Sequence, residues 1–325
     1  MTEILSSTAL DRPIAAWLAH QRALGRDFNV EQRVLDSLRR CLARLPVADL
    51  DQVGFDRWCE TLRHLDGNTR RARQMIVRRF CLYRRRSEAT CFVPDPLYFS
   101  RPHPFRRPVI VAPEQVARML AAANSLTPTP GSPLRPAVMR IALVLLYTAG
   151  LRRGELLRLT LDDCDPRAGV LRIRASKFHK SRLVPLSPDA RTELRTYLRQ
   201  RLAAPLDASP QGPLLCHTTR GFHGYTGTGL SGGIHELFKL VGVRDDEGRR
   251  PRIHDLRHSF AVQALMRWYR DGADVQSNLP KLAIYMGHVS IASTIYYLHF
   301  IPALAALASE RFESSFGNLV EEVGT

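Results

Sequence analysis

Six prolines within residues 94–113 constrain the fold of this chain more than any other feature. Proline has no backbone N–H and fixes φ, so this density excludes a helix and favours an extended connector. The sequence therefore predicts a first domain over residues 1–100, a Pro/Arg-rich linker over 101–112 and a second domain over 113–325. The prolines are Pro94, Pro96, Pro102, Pro104, Pro108 and Pro113.

The first domain is predicted to consist of helices only, because its apolar residues recur at helical spacing. Two helices are expected around residues 14–18 and 34–45. A third is expected to begin at Asp49 or Asp51 and a fourth at Asn68-Thr69, because short polar side chains cap helix N-termini.

The second domain is predicted to combine helices with one β-hairpin. The hairpin spans residues 171–186, where LRIRA and RLVPL flank a turn near Ser176–Ser181. Residues 135–149 form an apolar helix that we expect to be buried. The predicted fold class is therefore mainly α with a small antiparallel β-sheet. Further helices are expected from residue 113, over 187–201, and near 233–241, 254–270, 278–286, 291–299 and 302–314, with a loop-rich stretch at 205–232.

The chain is strongly basic, which predicts a polyanionic partner. It carries 47 Lys and Arg against 31 Asp and Glu, a formal charge of +16. Basic side chains neutralise phosphates and release their counterions. A GC-rich genome would explain why only four of these residues are lysine, but not the excess of base over acid.

The basic excess is concentrated between Arg63 and Arg107, where twelve arginines face three acidic residues. We interpret this stretch as a surface for the DNA backbone, and a solvated helix face is the alternative. The residues expected to contact DNA are Arg84, Arg85, Arg86, Arg106 and Arg107.

Metal and cofactor chemistry is not expected. The six cysteines lie far apart without zinc-ligand spacing, which indicates reduced thiols of an intracellular protein. The chain lacks the glycine loop with which P-loop ATPases hold phosphates. The acidic stretch at residues 162–165 is interpreted as a solvated turn rather than a metal site, as are residues 245–247.

No membrane association is expected either. The first residues lack the basic and apolar regions of a signal peptide. The longest apolar run, from Ile141 to Gly150, is too short to cross a bilayer. These observations predict a soluble, cytoplasmic protein.

Arg152 and Glu155 form the first chemically informative motif, within GLRRGE. Arg152 follows the predicted buried helix and a Gly-Leu bend, so we expect its side chain to be held rigidly. Glu155 comes three residues later. It either orients an arginine on the same helix face or caps the helix, and the sequence leaves both open.

A second motif, HDLRH, places His254 and Arg257 on one face of a helical turn. Arginine binds phosphate oxygens in a bidentate manner, and histidine moves protons near neutral pH. His258 is interpreted as a packing residue. His288 follows a glycine at a predicted helix boundary, where its ring can point into a cleft.

In this order, the motifs resemble those of the tyrosine recombinase family, the lambda-integrase type. SKFHKSRLVPL is similar to the family pattern GKxxKxRxVPL, and Met286-Gly287-His288 to its LGH box. Tyr297 follows His288 at the family's nine-residue spacing. The resemblance covers residues 113–312 by motif and the residues before them by architecture only. The residues that match the catalytic set are Arg152, Lys177, His254, Arg257, His288 and Tyr297, with Glu155 in support.

Two departures bear on the assignment. Ser176 and Phe178 replace glycines that usually flank the hairpin lysine, and Lys180 lies close to Lys177. Tyr296 stands beside Tyr297, but neighbours on a helix point about 100° apart, so only one of them can face a phosphate. The spacing favours Tyr297.

The resemblance implies an enzyme that breaks and rejoins DNA strands through a 3′-phosphotyrosine, without metal or ATP. Two arginines and a histidine, Arg152, Arg257 and His288, would bind the non-bridging phosphate oxygens. Lys177 would protonate the departing 5′ oxygen, and His254 would assist proton transfer from the nucleophile, Tyr297.

The resemblance also implies a helical DNA-clamping domain, an α/β catalytic domain, and a homo- or hetero-tetramer with related recombinases on paired double-stranded DNA sites. Tyr297-Leu298-His299 followed by PALAALASERFE looks like a subgroup from bacterial mobile elements, which implies integration or transposition near the nucleoid. Two alternatives stay open. One is DNA relaxation in the manner of a type IB topoisomerase, and the other is a DNA-binding accessory protein that does not cleave.

Overall fold

The computed structural model describes residues 9–47, 49–102, 106–174, 181–218, 221, 223–288 and the positions 306, 309, 310 and 313. The chain divides into two compact units, Met1–Arg106 and Arg107–Thr325. The division falls within the proline-rich segment. We call the first the helical unit and the second the mixed unit.

The helical unit is built from α-helices, as the apolar periodicity predicts. Asp51 caps the third helix, since its carboxylate accepts a hydrogen bond from the Gly54 N–H at 2.7 Å. The predicted cap at Asn68-Thr69 is wrong, because the carboxylate of Asp66 accepts from the Thr69 N–H at 3.0 Å and caps the fourth helix. The helices are α1 (Asp11–Ala23), α2 (Asn29–Leu42), α3 (Gln52–Glu60) and α4 (Gly67–Arg84).

The apolar faces of these four helices pack together in a single core. Trp17, Leu35, Leu38, Trp58 and Phe80 are buried there. Within α2, Leu35 and Leu38 are three residues apart, an interval that places side chains on one stripe of a helix. The burial of this stripe gives the helical unit its own hydrophobic core.

Helices also make up most of the mixed unit. The helices predicted from residue 113 and over 135–149, 187–201 and 254–270 are confirmed to within a few residues. Those predicted over 291–299 and 302–314 lie outside the described residues, except that 306, 309, 310 and 313 are helical. The described helices are α5 (Pro113–Asn124), α6 (Arg135–Thr148), α7 (Arg153–Arg158), α8 (Pro188–Ala203), α9 (Gly227–Val241), α10 (Asp255–Arg270) and α11 (Val275–Met286).

Helix α9 begins six residues before the predicted start at residue 233. Thr226 caps it, and its glycines conceal the helical signal because glycine is a poor helix former. Gly233 is needed for packing, since a Cβ there would overlap the sulfur of Met139 on α6. Helix α11 likewise starts early, at Val275, because Asp274 caps it.

Three short strands form an antiparallel sheet in the order β1-β2-β3. They are β1 (Cys164–Asp165), β2 (Val170–Ile173) and β3 (Arg182–Pro185). Val170 pairs with Pro185 and Ile173 with Arg182, which confirms the predicted hairpin. Its turn, residues 175–180, lies outside the described residues.

Two further strands, β4 (Cys216–His217) and β5 (His223–Gly224), pair within the stretch predicted as loop-rich. The fold class, mainly α with small antiparallel sheets, is confirmed.

Helix α6 is the central element of the mixed unit. It packs against α5, α8, α9 and α10, so most of its side chains are apolar, with Val138, Ile141, Leu143 and Leu145 fully buried. After it, Gly150 turns the chain with φ +59°, a conformation that favours glycine. This turn delivers the next residues, Arg152 onward, to the candidate site.

Candidate active site

Arg152 stands at the N-terminus of α7, and Glu155 binds it twice. One carboxylate oxygen accepts from the Arg152 backbone N–H at 3.0 Å, which caps the helix. The other accepts from Arg152 Nη1 at 2.7 Å, which orients the guanidinium. Both interpretations of Glu155 that the sequence left open therefore hold at once. The Arg152 side chain is 23% exposed, so it remains accessible.

Arg257 lies in the first turn of α10 and is buried. Its Nη2 donates to the carbonyl of Met286 at 2.6 Å, and its Nη1 donates to the carbonyl of Gly150. The two carbonyls come from chain segments far apart in sequence. They hold the guanidinium between the end of α6 and the end of α11.

Helix α11 ends in a Schellman motif at Gly287. The residue adopts φ +67°, its N–H bonds the Ile284 carbonyl at 2.9 Å, and the His288 N–H bonds the Ala283 carbonyl at 2.8 Å. This local geometry fixes the direction in which the chain leaves the helix. It places His288 immediately after the turn.

The last carbonyls of α11 each accept a hydrogen bond from an arginine. The C-terminus of a helix carries partial negative charge and unsatisfied carbonyl groups, so cations are stabilised there. The result is a cluster of three guanidinium groups beside His288. The pairs are Arg182 Nε to the Tyr285 oxygen (2.8 Å), Arg257 Nη2 to the Met286 oxygen (2.6 Å) and Arg152 Nη2 to the Gly287 oxygen (2.7 Å).

Glu155 is the carboxylate at the centre of this cluster. It is buried, and it also accepts two hydrogen bonds from Arg182, at 3.0 and 2.9 Å. Burial by itself would raise its pKa, but the bonds from Arg182 and Arg152 outweigh burial and lower the pKa to about 2. Glu155 is therefore ionised at neutral pH, yet three guanidinium groups outnumber it. The site retains a net positive charge that suits a phosphate.

Three histidines complete the cluster. The rings of His254 and His258 meet edge to face at 4.7 Å. Burial, followed by nearby arginine charge, lowers the pKa of His254, and burial with the same kind of charge lowers the pKa of His288 to about 4. Burial and the adjacent His254 lower the pKa of His258 to about 4. All three imidazoles are neutral at pH 7.

The lowered histidine pKa values predict a loss of stability in mild acid. An unfolded histidine binds a proton below about pH 6.5, whereas His258 and His288 in the folded protein do so only near pH 4. The unfolded state therefore binds more protons between these values, and the free energy of unfolding should fall as pH drops from 6.5 towards 4.

Calorimetric melts of the full chain at several pH values measure this. His258→Gln should show a weaker decrease in melting temperature with pH than the wild type. His64→Gln is the matched control, since His64 is exposed in the helical unit, and it should keep the wild-type dependence. Equal pH dependence in all three proteins would contradict the prediction.

The structure brings together four of the six predicted catalytic residues. Arg152, His254, Arg257 and His288 lie in one cluster with the supporting Glu155. The other two, Lys177 and Tyr297, fall outside the described residues.

Sequence reasoning missed Arg182. His258, interpreted as a packing residue, packs edge to face against His254 within the cluster. Arg182 is the first residue of β3. The signal was its place as the arginine of the pattern KxRxVPL, which we assigned only to the hairpin.

Arg84 is a correction to the predicted DNA-contacting set. Its side chain is 4% exposed, its two terminal nitrogens bind both Asp49 oxygens at 2.9 and 2.8 Å, and Nη2 also binds Glu88 at 2.5 Å. A buried guanidinium that is paired with two carboxylates stabilises the helical unit. The other four predicted arginines, Arg85, Arg86, Arg106 and Arg107, are exposed.

The acidic stretch at residues 162–165 is not wholly solvated, which corrects the turn interpretation. Asp163 is buried, and its carboxylate accepts a hydrogen bond from the backbone N–H of Thr160. Asp162 pairs with Arg174 at 2.5 Å.

Within the described ranges, no group of three or more His, Cys, Asp or Glu residues is arranged to hold a metal ion. In the same ranges, no helix has both the length and the apolar character needed to cross a membrane.

Comparison with known proteins identifies the family. Residues 110–302 match the phage integrase family. The XerC tyrosine recombinase of Azotobacter vinelandii is 31% identical over 302 residues, which cover 87% of this chain and 90% of that protein. This chain belongs to the phage integrase family of tyrosine recombinases. A second relative is y4rE of Sinorhizobium fredii, a protein named as an integrase/recombinase. It is 37% identical to the recombinase over 244 residues, which cover 75% of this chain and 76% of y4rE.

Solved structures share the fold of the recombinase. The Tn1549 transposon integrase in complex with a circular intermediate DNA superposes with a TM-score of 0.64 at 17% identity, covering 94% of this chain and 100% of the other. The XerH recombinase bound to its difH substrate superposes with a TM-score of 0.59 at 16% identity, covering 87% and 76%. At these identities the likeness concerns the fold alone.

Proposed function

We propose that this recombinase breaks and rejoins double-stranded DNA at specific sites through a 3′-phosphotyrosine. One observation carries the proposal: Arg152, Arg257 and His288 converge at the end of α11, where backbone carbonyls hold both guanidinium groups rigidly. Donors fixed before the reaction stabilise a phosphoryl transition state without reorganisation.

Each residue then has a role. Arg152, Arg257 and the neutral His288 bind the non-bridging oxygens, where negative charge grows in the transition state. Tyr297 attacks phosphorus while His254 assists removal of its proton. A tyrosine hydroxyl has an ordinary pKa near 10, so a positively charged site makes this attack easier at neutral pH.

The bonds balance without an energy source. The tyrosine oxygen forms a bond to phosphorus, the bond to the 5′ oxygen breaks, and Lys177 gives that oxygen a proton. The phosphotyrosine conserves the bond energy, and an incoming 5′ hydroxyl reverses the steps to rejoin the strand. Cleavage should therefore proceed in the presence of EDTA and without ATP.

The biological role that we propose is integration or transposition of a mobile element. The support is the segment after Tyr297, with its PALAALASERFE sequence, together with the integrase/recombinase name of y4rE. Assembly as a tetramer on paired sites, in the cytoplasm at the bacterial nucleoid, belongs to the same proposal.

The experiment uses purified protein and duplexes that carry the ends of the element from which the gene comes. We expect a denaturant-resistant adduct joined to a DNA 3′ phosphate and exchange of strands between two duplexes. Relaxation of supercoiled DNA without exchange would favour a topoisomerase-like activity. Binding without an adduct would favour the accessory role.

The proposed DNA surface of the helical unit makes a separate prediction. Arg85 and Arg86 are exposed at the end of α4. Each arginine that neutralises a phosphate adds about 1 to the slope of log affinity against log salt, so replacing both with alanine should reduce that slope by about 2. Binding titrations at several salt concentrations measure this slope.

Arg84→Ala serves as the matched control. It should keep the wild-type slope and lower the melting temperature instead, because it leaves Asp49 and Glu88 without their partner. If the Arg85 and Arg86 variant kept the wild-type slope, these side chains would belong to a solvated face.

A further inference from the structure

We propose that Arg182 is a positioning residue of the recombination reaction, which fixes Glu155 and the last turn of α11 and thereby holds Arg152 and His288 in place. The inference rests on the proposed function. Arg182 belongs to neither of the two motifs that supply the arginines of the catalytic set, and it comes from the sheet rather than from a helix.

The hydrogen bonds of Arg182 join three elements. Its Nη1 and Nη2 form a fork with the two oxygens of Glu155 on α7, at 3.0 and 2.9 Å. Its Nε donates to the carbonyl of Tyr285 on α11, at 2.8 Å. The Tyr285 hydroxyl donates back to the carbonyl of Pro185 on β3, at 2.9 Å. The strand, the short helix and the end of α11 are therefore linked through one guanidinium.

Close packing supports the same role. The Arg182 side chain is 11% exposed, and all three of its guanidinium nitrogens bind groups of the protein. Gly287 lies against it, since a Cβ at that position would stand 2.7 Å from Arg182 Nη1. These contacts of Arg182 with two other elements suit it to hold other residues in place.

The consequence for Arg152 follows from competition for one carboxylate. While Arg182 occupies both oxygens of Glu155, Arg152 donates to that carboxylate through a single side-chain nitrogen, Nη1, and its Nη2 reaches Gly287. Without Arg182, Glu155 is free to turn and take both nitrogens of Arg152. That would pull the guanidinium away from the phosphate oxygens.

The end of α11 depends on the same residue. Loss of the bond to the Tyr285 carbonyl removes one arginine from this helix end, one turn before His288.

The test compares Arg182→Ala and Arg182→Lys with Arg172→Ala. Arg172 lies on the neighbouring strand β2 and is an exposed ion-pair partner of Asp162, so it is a matched control. Adduct formation on a nicked suicide substrate should slow by about 100-fold for Arg182→Ala, the scale of a small misplacement of catalytic groups. Arg182→Lys keeps the charge but lacks the fork and should lie between. DNA affinity and its salt dependence should match the wild type in all three.

A pH profile separates positioning from a purely structural loss. The bonds from Arg182 are foremost among those that hold the pKa of Glu155 down against burial. Their removal should raise that pKa, so the defect of Arg182→Ala relative to the wild type should deepen as pH falls. Methylguanidinium, which carries the fork of donors that Arg182→Ala lacks, should restore part of the rate of that variant.

The outcomes decide the matter. A folded Arg182→Ala that cleaves like Arg172→Ala overturns the inference, and so does a defect that is the same at every pH and resists methylguanidinium. If Arg182→Ala fails to fold, Arg182→Lys is judged by its rate and pH profile on the same terms. If the wild type forms no adduct, the proposed function fails instead. Tyr297→Phe is run in parallel, so that the wild-type adduct is compared with a variant expected to form none.

Discussion

Tyr297→Phe is expected to abolish the covalent protein–DNA adduct. Without the hydroxyl there is no nucleophile, so adduct formation on a nicked suicide substrate should fall by about 10⁴-fold or more. The nick lets the short cleaved strand diffuse away, so that any adduct accumulates and is counted on a denaturing gel. DNA affinity should stay unchanged, because the phenylalanine keeps the shape of the ring.

Tyr296→Phe is the matched control for this experiment. The two tyrosines are neighbours, so the same chemical change is made one residue away. We expect Tyr296→Phe to form the adduct at close to the wild-type rate. An adduct that persists in Tyr297→Phe and disappears in Tyr296→Phe would move the nucleophile to Tyr296.

Lys177→Ala is expected to cut ordinary DNA slowly and to regain cleavage on a 5′-bridging phosphorothiolate. A positioned general acid contributes about 10²–10⁴-fold, which sets the expected loss on ordinary DNA. Sulfur leaves readily without a proton, so the modified substrate removes the need for the lysine. Single-turnover cleavage rates on the two substrates measure the rescue.

Arg152→Ala should behave differently on the same pair of substrates. Its guanidinium stabilises charge on the non-bridging oxygens, and the loss of such a donor lowers the rate by about 10²–10³-fold whichever atom leaves. Rescue by sulfur should therefore be much smaller. Lys180→Ala is the control for the lysine assignment. If it shows the rescue while Lys177→Ala cleaves normally, the two lysines exchange roles.

The charge arrangement of the site explains why these residues act together. Arg152, Arg182 and Arg257 are brought within reach of one another at the end of α11, and Glu155 is the carboxylate that binds two of them. A buried cluster of like charges is costly unless carbonyls and a carboxylate satisfy its donors. The carbonyls of α11 and Gly150 do so here, while the guanidinium of Arg152 stays accessible to an anion.

Much of the fold was predictable because its signals are local. Apolar spacing located the helices, Asp51 caps a helix at one of the two positions expected, and Ser187 caps the helix expected from residue 187. The turn at Gly287 was also local, since a glycine after the last helical position favours a Schellman ending. The early start of α9 was missed because glycines in its first turns weaken the local helical signal, and only tertiary packing, that of Gly233 against Met139, accounts for one of them.

By itself, the sequence determined the residue types of the site and their order: an arginine after a bend, HxxR at a helix start, and a histidine after a helix-ending glycine. These are short-range features, fixed by backbone geometry and caps. Only the tertiary structure decided which groups those arginines bind. Arg152 reaches Gly287 across 135 residues and Arg257 reaches Gly150 across 107. Such pairings depend on how α6, α10 and α11 pack, and that packing is set by the whole core at once rather than by any segment of it. The same reason hid Arg182, whose role exists only where β3 meets α7 and the end of α11.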